Sequence, residues 1–263
     1  ERWWDLMRIP YYYQGQPFYH PIQSVFAFGT EDIWFCGNGV VHYDGNNFIP
    51  ITIPTNVWGP HQMTKIWGSN SSDLYVVGNN GNIVHYNGTL WSRIESGTDL
   101  NINDILGDYN EKTGEWEILA VASNILQSNE KEVLKINTAA TQIINKEGIT
   151  GTISSLWFKN KSKYYIAGGG GISENNTLGN SDWQKSNYNF TKYIYRLRGI
   201  ELNDIVAAGG YGDVLHYNGV SWKSYYNDTQ LNYGNYYSVA INDNIIVSVG
   251  QDNPYAVIII GRR

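Results

Sequence analysis

The chain has 263 residues, of which 42% are hydrophobic and 16% are charged, and its formal net charge at pH 7 is −6. The acidic balance argues against nucleic acid or an anionic membrane surface as the main partner, because both attract clusters of Lys and Arg. No run approaches the roughly 18 consecutive apolar residues of a membrane span, so membrane insertion is not expected.

One pattern of nine residues occurs three times along the chain. It consists of two apolar residues, His, Tyr, Asp or Asn, Gly, two variable residues and an aromatic residue. The three copies begin at Val40, Ile83 and Val214. A carboxylate followed by a short apolar run precedes each copy, at Asp32, Asp73 and Asp204. A repeated supersecondary unit sets the whole architecture, so its recurring residues are expected to belong to the framework.

The runs between turn signals are about five or six residues long and rich in Val, Ile, Trp and Tyr, which predicts strands rather than helices. An Asp-Gly or Asn-Gly pair separates the third and fourth runs, at Asp44, Asn87 and Asn218. Such a pair favours a type I′ hairpin, in which both central residues have positive φ. Each unit is therefore predicted to be a four-stranded antiparallel meander.

Three further units follow the same frame less closely and bring the total to six. Two lie in the middle of the chain, and the last, from Ser238, has only three strands. The opening segment, Glu1 to Pro10, resembles the missing fourth strand, so we predict that it completes the last blade and closes the ring. The sequence thus predicts one all-β domain, a six-bladed β-propeller. The predicted blades span residues 22–54, 64–97, 102–149, 152–190, 194–228, and 236–263 together with 1–10.

The chain resembles secreted bacterial β-propellers whose repeat has the form D-I-W-x-x-G-x-x-G-x-I-x-H-Y-x-G-x-x-W. The stretch from Asp73 to Trp91 keeps this spacing, with Leu74 and Tyr75 in place of Ile and Trp. The chain is more loosely similar to BNR or Asp-box repeats and to photosystem II assembly factor propellers, which also place a Gly-x-x-Trp hairpin between the third and fourth strands. The resemblance implies the fold. No copy has both the Ser and the Asp of a full Asp-box, so sialidase chemistry is not implied.

Cys36 is the only cysteine, which excludes disulfides and cysteine-based metal clusters, and its position in a strand predicts a buried side chain. The sequence begins at Glu1 without Met and is rich in Asn, Gly, Tyr and Trp. This composition is typical of secreted bacterial binding proteins, and a removed signal peptide would be consistent with it. We therefore expect a secreted or cell-surface protein.

Three histidines, His42, His85 and His216, are of the type that binds zinc. They occupy the same position in three different blades, so the fold should keep them too far apart to share one ion. We predict structural roles for them, and we expect no metal and no cofactor. The repeated carboxylates are also predicted to be structural, each accepting hydrogen bonds from the backbone that follows it.

Residues that break the repeat are the candidates for function. Connections between blades carry most of the 21 tyrosines, although loops normally contain few large aromatic residues. Because these connections also contain Asn and few charged residues, their aromatic side chains predict a recognition face for a glycan or a protein partner. The alternative is that the rings only pack inside the molecule. The candidate ligand-binding residues are Tyr12, Tyr19, His20, Trp58, His61, Tyr193, Arg196, Tyr211, Tyr233 and Tyr236, with Asn38 and Asn80 as lesser candidates.

Arg196 and Arg198 stand in one strand and break the repeat. The residues aligned with Arg196 are Ser24, Lys65 and Ser155, and those aligned with Arg198 are Phe26, Trp67 and Trp157. We predict a structural salt bridge with Asp104 or Glu201. The alternative is an anion-binding site.

Three functions remain open at this point. The favoured one is an extracellular, non-enzymatic module that binds a glycan or a protein partner through the aromatic face. The second is a structural or assembly subunit of a surface layer, a filament or a larger secreted protein. The third is a glycan-active hydrolase or lyase. No catalytic residue is assigned, because no nucleophile elbow and no His-Glu-x-x-His motif is present.

Overall fold

The computed structural model describes residues 8–13, 16–19, 21–124, 129–138, 140–179 and 181–262. The described chain forms a small hairpin followed by six successive antiparallel sheets, which we call blades 1 to 6. Five blades have four strands each, and blade 6 has three strands within the described residues. The fold is a six-bladed β-propeller, which confirms the predicted fold class.

The first compact unit comprises residues 1–102 and 138–140. It contains the hairpin, blades 1 and 2, and a one-turn helix between them. The hairpin is β1 (Tyr11–Tyr13) and β2 (Gln16–Phe18); blade 1 is β3 (Ser24–Gly29), β4 (Asp32–Cys36), β5 (Val40–Tyr43) and β6 (Phe48–Ile51); the helix is α1 (Thr55–Trp58); blade 2 is β7 (Met63–Asn70), β8 (Asp73–Gly78), β9 (Ile83–Tyr86) and β10 (Trp91–Ile94).

The second compact unit comprises residues 103–137 and 141–263. It contains blades 3 to 6, except that the first strand of blade 3 begins one residue earlier. Blade 3 is β11 (Ile102–Asn110), β12 (Glu115–Ser123), β13 (Lys131–Ile136) and β14 (Thr141–Ile144); blade 4 is β15 (Ile153–Lys159), β16 (Lys163–Gly168), β17 (Gly171–Asn175) and β18 (Gln184–Lys185); blade 5 is β19 (Ile194–Glu201), β20 (Asp204–Gly209), β21 (Val214–Tyr217) and β22 (Trp222–Ser224); α2 (Tyr226–Thr229) precedes blade 6, which is β23 (Asn235–Asn242), β24 (Ile245–Asp252) and β25 (Tyr255–Arg262).

Neighbouring blades within each unit are held together by apolar side chains. In the first unit, Trp34 of blade 1 belongs to one buried cluster with Ile66 and Val76 of blade 2. In the second unit, Trp157 of blade 4 shares a cluster with Leu197 of blade 5. The second strands β8, β16 and β20 are almost wholly buried, which explains why they consist of continuous apolar runs rather than alternating ones.

The type I′ prediction for the hairpins between the third and fourth strands is wrong. In each repeated copy only the glycine has positive φ, at 94° for Gly45, 87° for Gly88 and 90° for Gly219. The side chain of the preceding Asp or Asn instead accepts hydrogen bonds from the backbone N–H groups two and three residues later. Asp44 Oδ1, for example, accepts from Asn46 at 2.9 Å and from Asn47 at 2.7 Å. This side-chain bonding stabilises a longer turn, which a dipeptide rule does not distinguish from a two-residue one.

Closure of the ring by the opening segment stays a prediction. Residues 1–7 lie outside the described part of the chain, and Arg8, Ile9 and Pro10 are not in a strand. The expectation of a single domain and the predicted blade limits also stay predictions.

Candidate functional site

The three repeated histidines each pair with the repeated carboxylate of their own blade. The distance from Nε2 to the Asp Oδ1 is 2.8 Å for His42 and Asp32, 2.6 Å for His85 and Asp73, and 2.9 Å for His216 and Asp204. The sequence analysis predicted a structural role for these carboxylates but expected backbone N–H groups, and not the histidines, as their hydrogen-bond partners. The pair ties the third strand to the start of the second strand and so fixes the blade rather than a ligand.

A ring stacks on the imidazole in blades 1 and 2. Trp34 lies over His42 with ring centroids 4.3 Å apart, and Tyr75 lies over His85 at 4.4 Å. The register places Val206 opposite His216 in blade 5, where the first two blades have an aromatic residue. Within the described residues, no three His, Cys, Asp or Glu side chains are grouped as metal ligands would be.

Asp104 is the centre of a buried ionic cluster in the second unit. Its Oδ1 lies 2.8 Å from a guanidinium nitrogen of Arg196 and 2.8 Å from one of Arg198. The hydroxyl of Ser155 donates to the other carboxylate oxygen at 2.6 Å. This confirms the predicted salt bridge with Asp104, whereas Glu201 pairs with Lys159 instead. Arg196 therefore joins blades 3 and 5, and burial lowers the pKa of its guanidinium.

The first strands of blades 2, 4, 5 and 6 share a β-bulge near their start. The register shifts at Thr64, Ser154, Tyr195 and Tyr237. In blade 4, the bulged Ser154 donates to Ala167 O of its own blade at 3.1 Å and lies 2.5 Å from Ile194 O of blade 5. Thr64 makes the equivalent pair of contacts in blade 2, to Val77 O and Ile102 O. A bulge re-aims one side chain, and a small hydroxyl at this position links consecutive first strands.

Blades 5 and 6 have tyrosine at this bulged position instead. The ring of Tyr195 lies 5.1 Å from that of Tyr237 and 4.7 Å from that of Tyr193, measured between centroids. The hydroxyl of Tyr193 lies 3.4 Å from Thr152 Oγ1 of blade 4. The amide of Asn235 donates to the Tyr237 hydroxyl at 3.4 Å. We call Tyr193, Tyr195, Tyr211, Tyr237 and Asn235 the Tyr cluster.

Tyr211 joins the cluster through a turn between the second and third strands of blade 5. Its φ is 56° and that of the following Gly212 is 83°, as in a type I′ turn. The same turn in blade 2 has Asn80 at 55° and Gly81 at 64°. Asn tolerates this left-handed conformation better than Tyr. Two bonds hold Tyr211 in place: its N–H donates to Asn235 Oδ1 at 3.3 Å, and its carbonyl accepts from Leu231 N at 3.0 Å.

The Tyr cluster is open to solvent at its rim. Tyr211 is 59% exposed and Tyr237 is 44% exposed, whereas Tyr193 and Tyr195 are partly buried. Burial is the main cause of the raised pKa of Tyr195, and the hydroxyls of Tyr237, Tyr193 and Tyr211 add to it. The Tyr195 phenol is thus neutral at physiological pH and can donate a hydrogen bond.

Two of the predicted binding residues are buried and belong to the core. Trp58 is 5% exposed, packs in the cluster of blades 1 and 2, and donates from its indole to His61 O at 2.6 Å. Tyr236 is 3% exposed and packs in the apolar cluster between blades 5 and 6. The expectation that these rings stand on an open face is wrong for both. Tyr237, the bulged residue of β23, is exposed, whereas Tyr236 was the residue expected to be so.

The other predicted residues are dispersed. Tyr19 is exposed and lies 6.0 Å from the guanidinium of Arg8, and Asn80 lies 3.3 Å from the ring of His61. Tyr233 is exposed, and its backbone N–H donates to Asp252. Asn38 is exposed next to β4. For Tyr12 only the backbone, in β1, is described, and His20 lies outside the described residues.

The sequence analysis included Tyr193 and Tyr211 but omitted Tyr195, Tyr237 and Asn235 from the binding residues. The signal that could have found the tyrosines is positional. Both stand one residue before the aligned Arg196 and Ser238, where blades 2 and 4 have Thr64 and Ser154.

Cys36 is wholly buried, as predicted, and burial raises the pKa of its thiol to about 12. The two helices of the described residues have four residues each, so neither could span a membrane.

Comparison with known proteins gives structural relatives only. No protein-family model matches the chain, and no curated protein matches its sequence. Among solved structures, YCF48 bound to D1 peptide superposes with a TM-score of 0.68 at 17% identity, over 94% of this chain and 82% of that one. YCF48 from Cyanidioschyzon merolae gives 0.51 at 12% identity, over 92% and 95%. The WD40 β-propeller domain of Doa1 gives 0.66 at 10% identity, over 90% and 81%.

These similarities show the β-propeller fold. They confirm the predicted likeness to photosystem II assembly factor propellers at the level of fold. The likeness to secreted bacterial repeat proteins and to Asp-box propellers stays a prediction.

Proposed function

We propose that this chain is a non-enzymatic binding module that recognises a segment of a protein partner through the Tyr cluster. The observation that carries the proposal is the position of the rings. Tyr195 and Tyr237 replace the small hydroxyl residues that link first strands elsewhere, and Tyr211 replaces Asn in a left-handed turn. Each replacement loses a residue that suits the fold better at that position and puts an aromatic side chain in the cluster instead. Such a substitution is typical of a recognition surface.

Two considerations favour a protein segment over a glycan. Exposed tyrosines are among the residues that contribute most to protein recognition, because a rigid ring and a hydroxyl act together. One fold relative is described as bound to a peptide, which supports the use of this fold for peptide binding. The secreted or cell-surface location expected from composition forms part of the proposal.

Selection from a random-peptide display library against the full chain tests the proposed function. A double variant, Tyr211→Asn with Tyr237→Thr, serves for counter-selection, because both new residues occur at the equivalent positions of blade 2. We expect peptides that bind the natural chain and not the double variant. A glycan array is probed in parallel. Glycan binding without peptide enrichment would reassign the ligand class, and a failure of both would mean that the Tyr cluster has no ligand.

A further inference from the structure

We infer that the Tyr cluster binds an uncharged, proline-containing peptide segment in the polyproline II conformation. The inference rests on the proposed function and specifies the partner more narrowly. Four features of the cluster lead to it: the angles between the rings, the paired state of nearby charges, the use of the local backbone and the donors that the phenols offer.

The rings of the cluster are inclined to one another. The planes of Tyr193 and Tyr195 meet at 46°, and those of Tyr195 and Tyr237 meet at 75°. Rings in one plane would make a flat platform, which suits the face of a sugar. Inclined rings in contact make a ridged surface whose exposed faces meet at an angle. A polyproline II helix has three residues per turn and projects its pyrrolidine rings as regular ridges, which pack against aromatic side chains.

Charged side chains near the cluster already have partners. Arg196, next to Tyr195 in β19, is paired with Asp104. Lys192, next to Tyr193, lies over the ring of Tyr226, with its Nζ 2.8 Å from the centroid. Asp252 accepts hydrogen bonds from the backbone N–H groups of residues 232 and 233. The cluster thus presents phenol and amide groups, which favours an uncharged ligand.

The local backbone is also occupied, which argues against a partner that adds a β-strand. Gly210 forms a bridge with Asn235, and its N–H donates to Tyr193 O at 2.9 Å. Tyr211 uses both its N–H and its carbonyl, as described above. Recognition of the partner must therefore depend on the side chains of the Tyr cluster. Addition of a strand would need free backbone groups at a sheet edge.

The phenols supply what a proline-containing segment needs. Polyproline II has no internal hydrogen bonds, and proline has no N–H, so such a segment offers carbonyl acceptors and few donors. The tyrosine hydroxyls at the rim can donate to these carbonyls. The segment is stiff before it binds, which reduces the entropy that binding costs.

The test compares two end-capped synthetic peptides, decaproline and a Gly-Ser decamer, by titration into the full chain. Binding is followed through the NMR signals of selectively labelled tyrosines. We expect decaproline to bind at least about tenfold more tightly than the Gly-Ser decamer, and to shift signals from the Tyr cluster. Tyr211→Asn should weaken decaproline binding by about tenfold, as truncation of an important aromatic contact does. Tyr109→Asn changes a 46% exposed tyrosine outside the cluster and should leave the affinity unchanged.

The outcomes separate this inference from the proposed function. If decaproline binds no better than the Gly-Ser decamer, or binds equally well to Tyr211→Asn, the inference is wrong. Display peptides that lack proline and still depend on Tyr211 and Tyr237 would then leave the proposed function standing. If display also yields nothing, both are wrong.

Discussion

Blade 5 contains two sets of side chains that the fold treats in opposite ways. His216 and Asp204 repeat a pair found in blades 1 and 2, and the two residues bond to each other. Tyr195 and Tyr211 break the repeat, the first at a bulge and the second in a left-handed turn. The ring of Tyr195 contacts that of Tyr237 in the neighbouring blade, and the N–H of Tyr211 donates to Asn235. Residues that repeat from blade to blade thus hold each blade together. Residues that break the repeat at a position where they destabilise the fold are candidates for recognition.

The largest expected effect concerns Trp58, an aromatic residue in the connection between blades 1 and 2, and tests whether such a residue can be part of the hydrophobic core. Replacing Trp58 by Ala should lower the free energy of unfolding by about 3–5 kcal/mol, because it leaves a cavity in the core of blades 1 and 2. Urea unfolding of the full chain measures this. The control is Tyr233→Ala, at an 87% exposed position, with an expected loss below about 0.5 kcal/mol. Equal losses in the two variants would contradict the burial of Trp58.

The next effect concerns the Asp–His pair of blade 2. Replacing His85 by Phe keeps a ring against Tyr75 but removes the imidazole that bonds Asp73 Oδ1, while the hydroxyl of Ser69 still donates to the other carboxylate oxygen. We expect a loss of about 1–2 kcal/mol at pH 7, typical of an unsatisfied partner. The hydrogen bond from His85 is the main cause of the lowered pKa of Asp73, whose ordinary value is 3.8.

The pH dependence of this variant has a definite sign. A carboxylate with a lowered folded pKa stabilises the protein above its unfolded pKa, and this contribution disappears as the pH falls through the folded value. The stability difference between the natural chain and His85→Phe should therefore shrink below about pH 4. A difference that stays constant down to pH 2 would show that the lost stability comes from packing and not from the pair.

A smaller effect separates stacking from pairing within the repeat. His85 and His216 have the same kind of partner, but only His85 has a stacked ring, with Val206 opposite His216. Replacing either by Gln should cost about 1 kcal/mol. The loss should be greater for His85 by about 0.5–1 kcal/mol, the usual worth of an aromatic pair. Parallel thermal unfolding of the two variants measures the difference, and equal losses would exclude a contribution from stacking.

The sequence predicted the features that repeat and missed those that depend on one extra residue. The strands, the blade frame and the structural histidines follow from periodicity and spacing. The choice of Tyr236 over Tyr237 failed because the bulge at Tyr237 inserts a residue that alternation does not anticipate. The placement of Trp58 failed because α1 folds back on the core, which a connecting segment does not reveal. The partner of Asp104 was predictable, since Arg198 places a cation where the aligned strands have Phe26, Trp67 and Trp157.

The smallest expected effect addresses the structural cost of Tyr211. The turns at Asn80–Gly81 and Tyr211–Gly212 have the same backbone, so the two residues can be exchanged. Tyr211→Asn should raise the free energy of unfolding by about 0.5–1 kcal/mol, because Asn adopts positive φ at lower cost than an aromatic residue. Asn80→Tyr should lower it by a similar amount. A gain in stability together with weaker peptide binding would identify Tyr211 as a residue kept for recognition. If Tyr211→Asn instead destabilises the chain, the ring is part of the framework, and the contrast between repeated and exceptional residues does not hold at this turn.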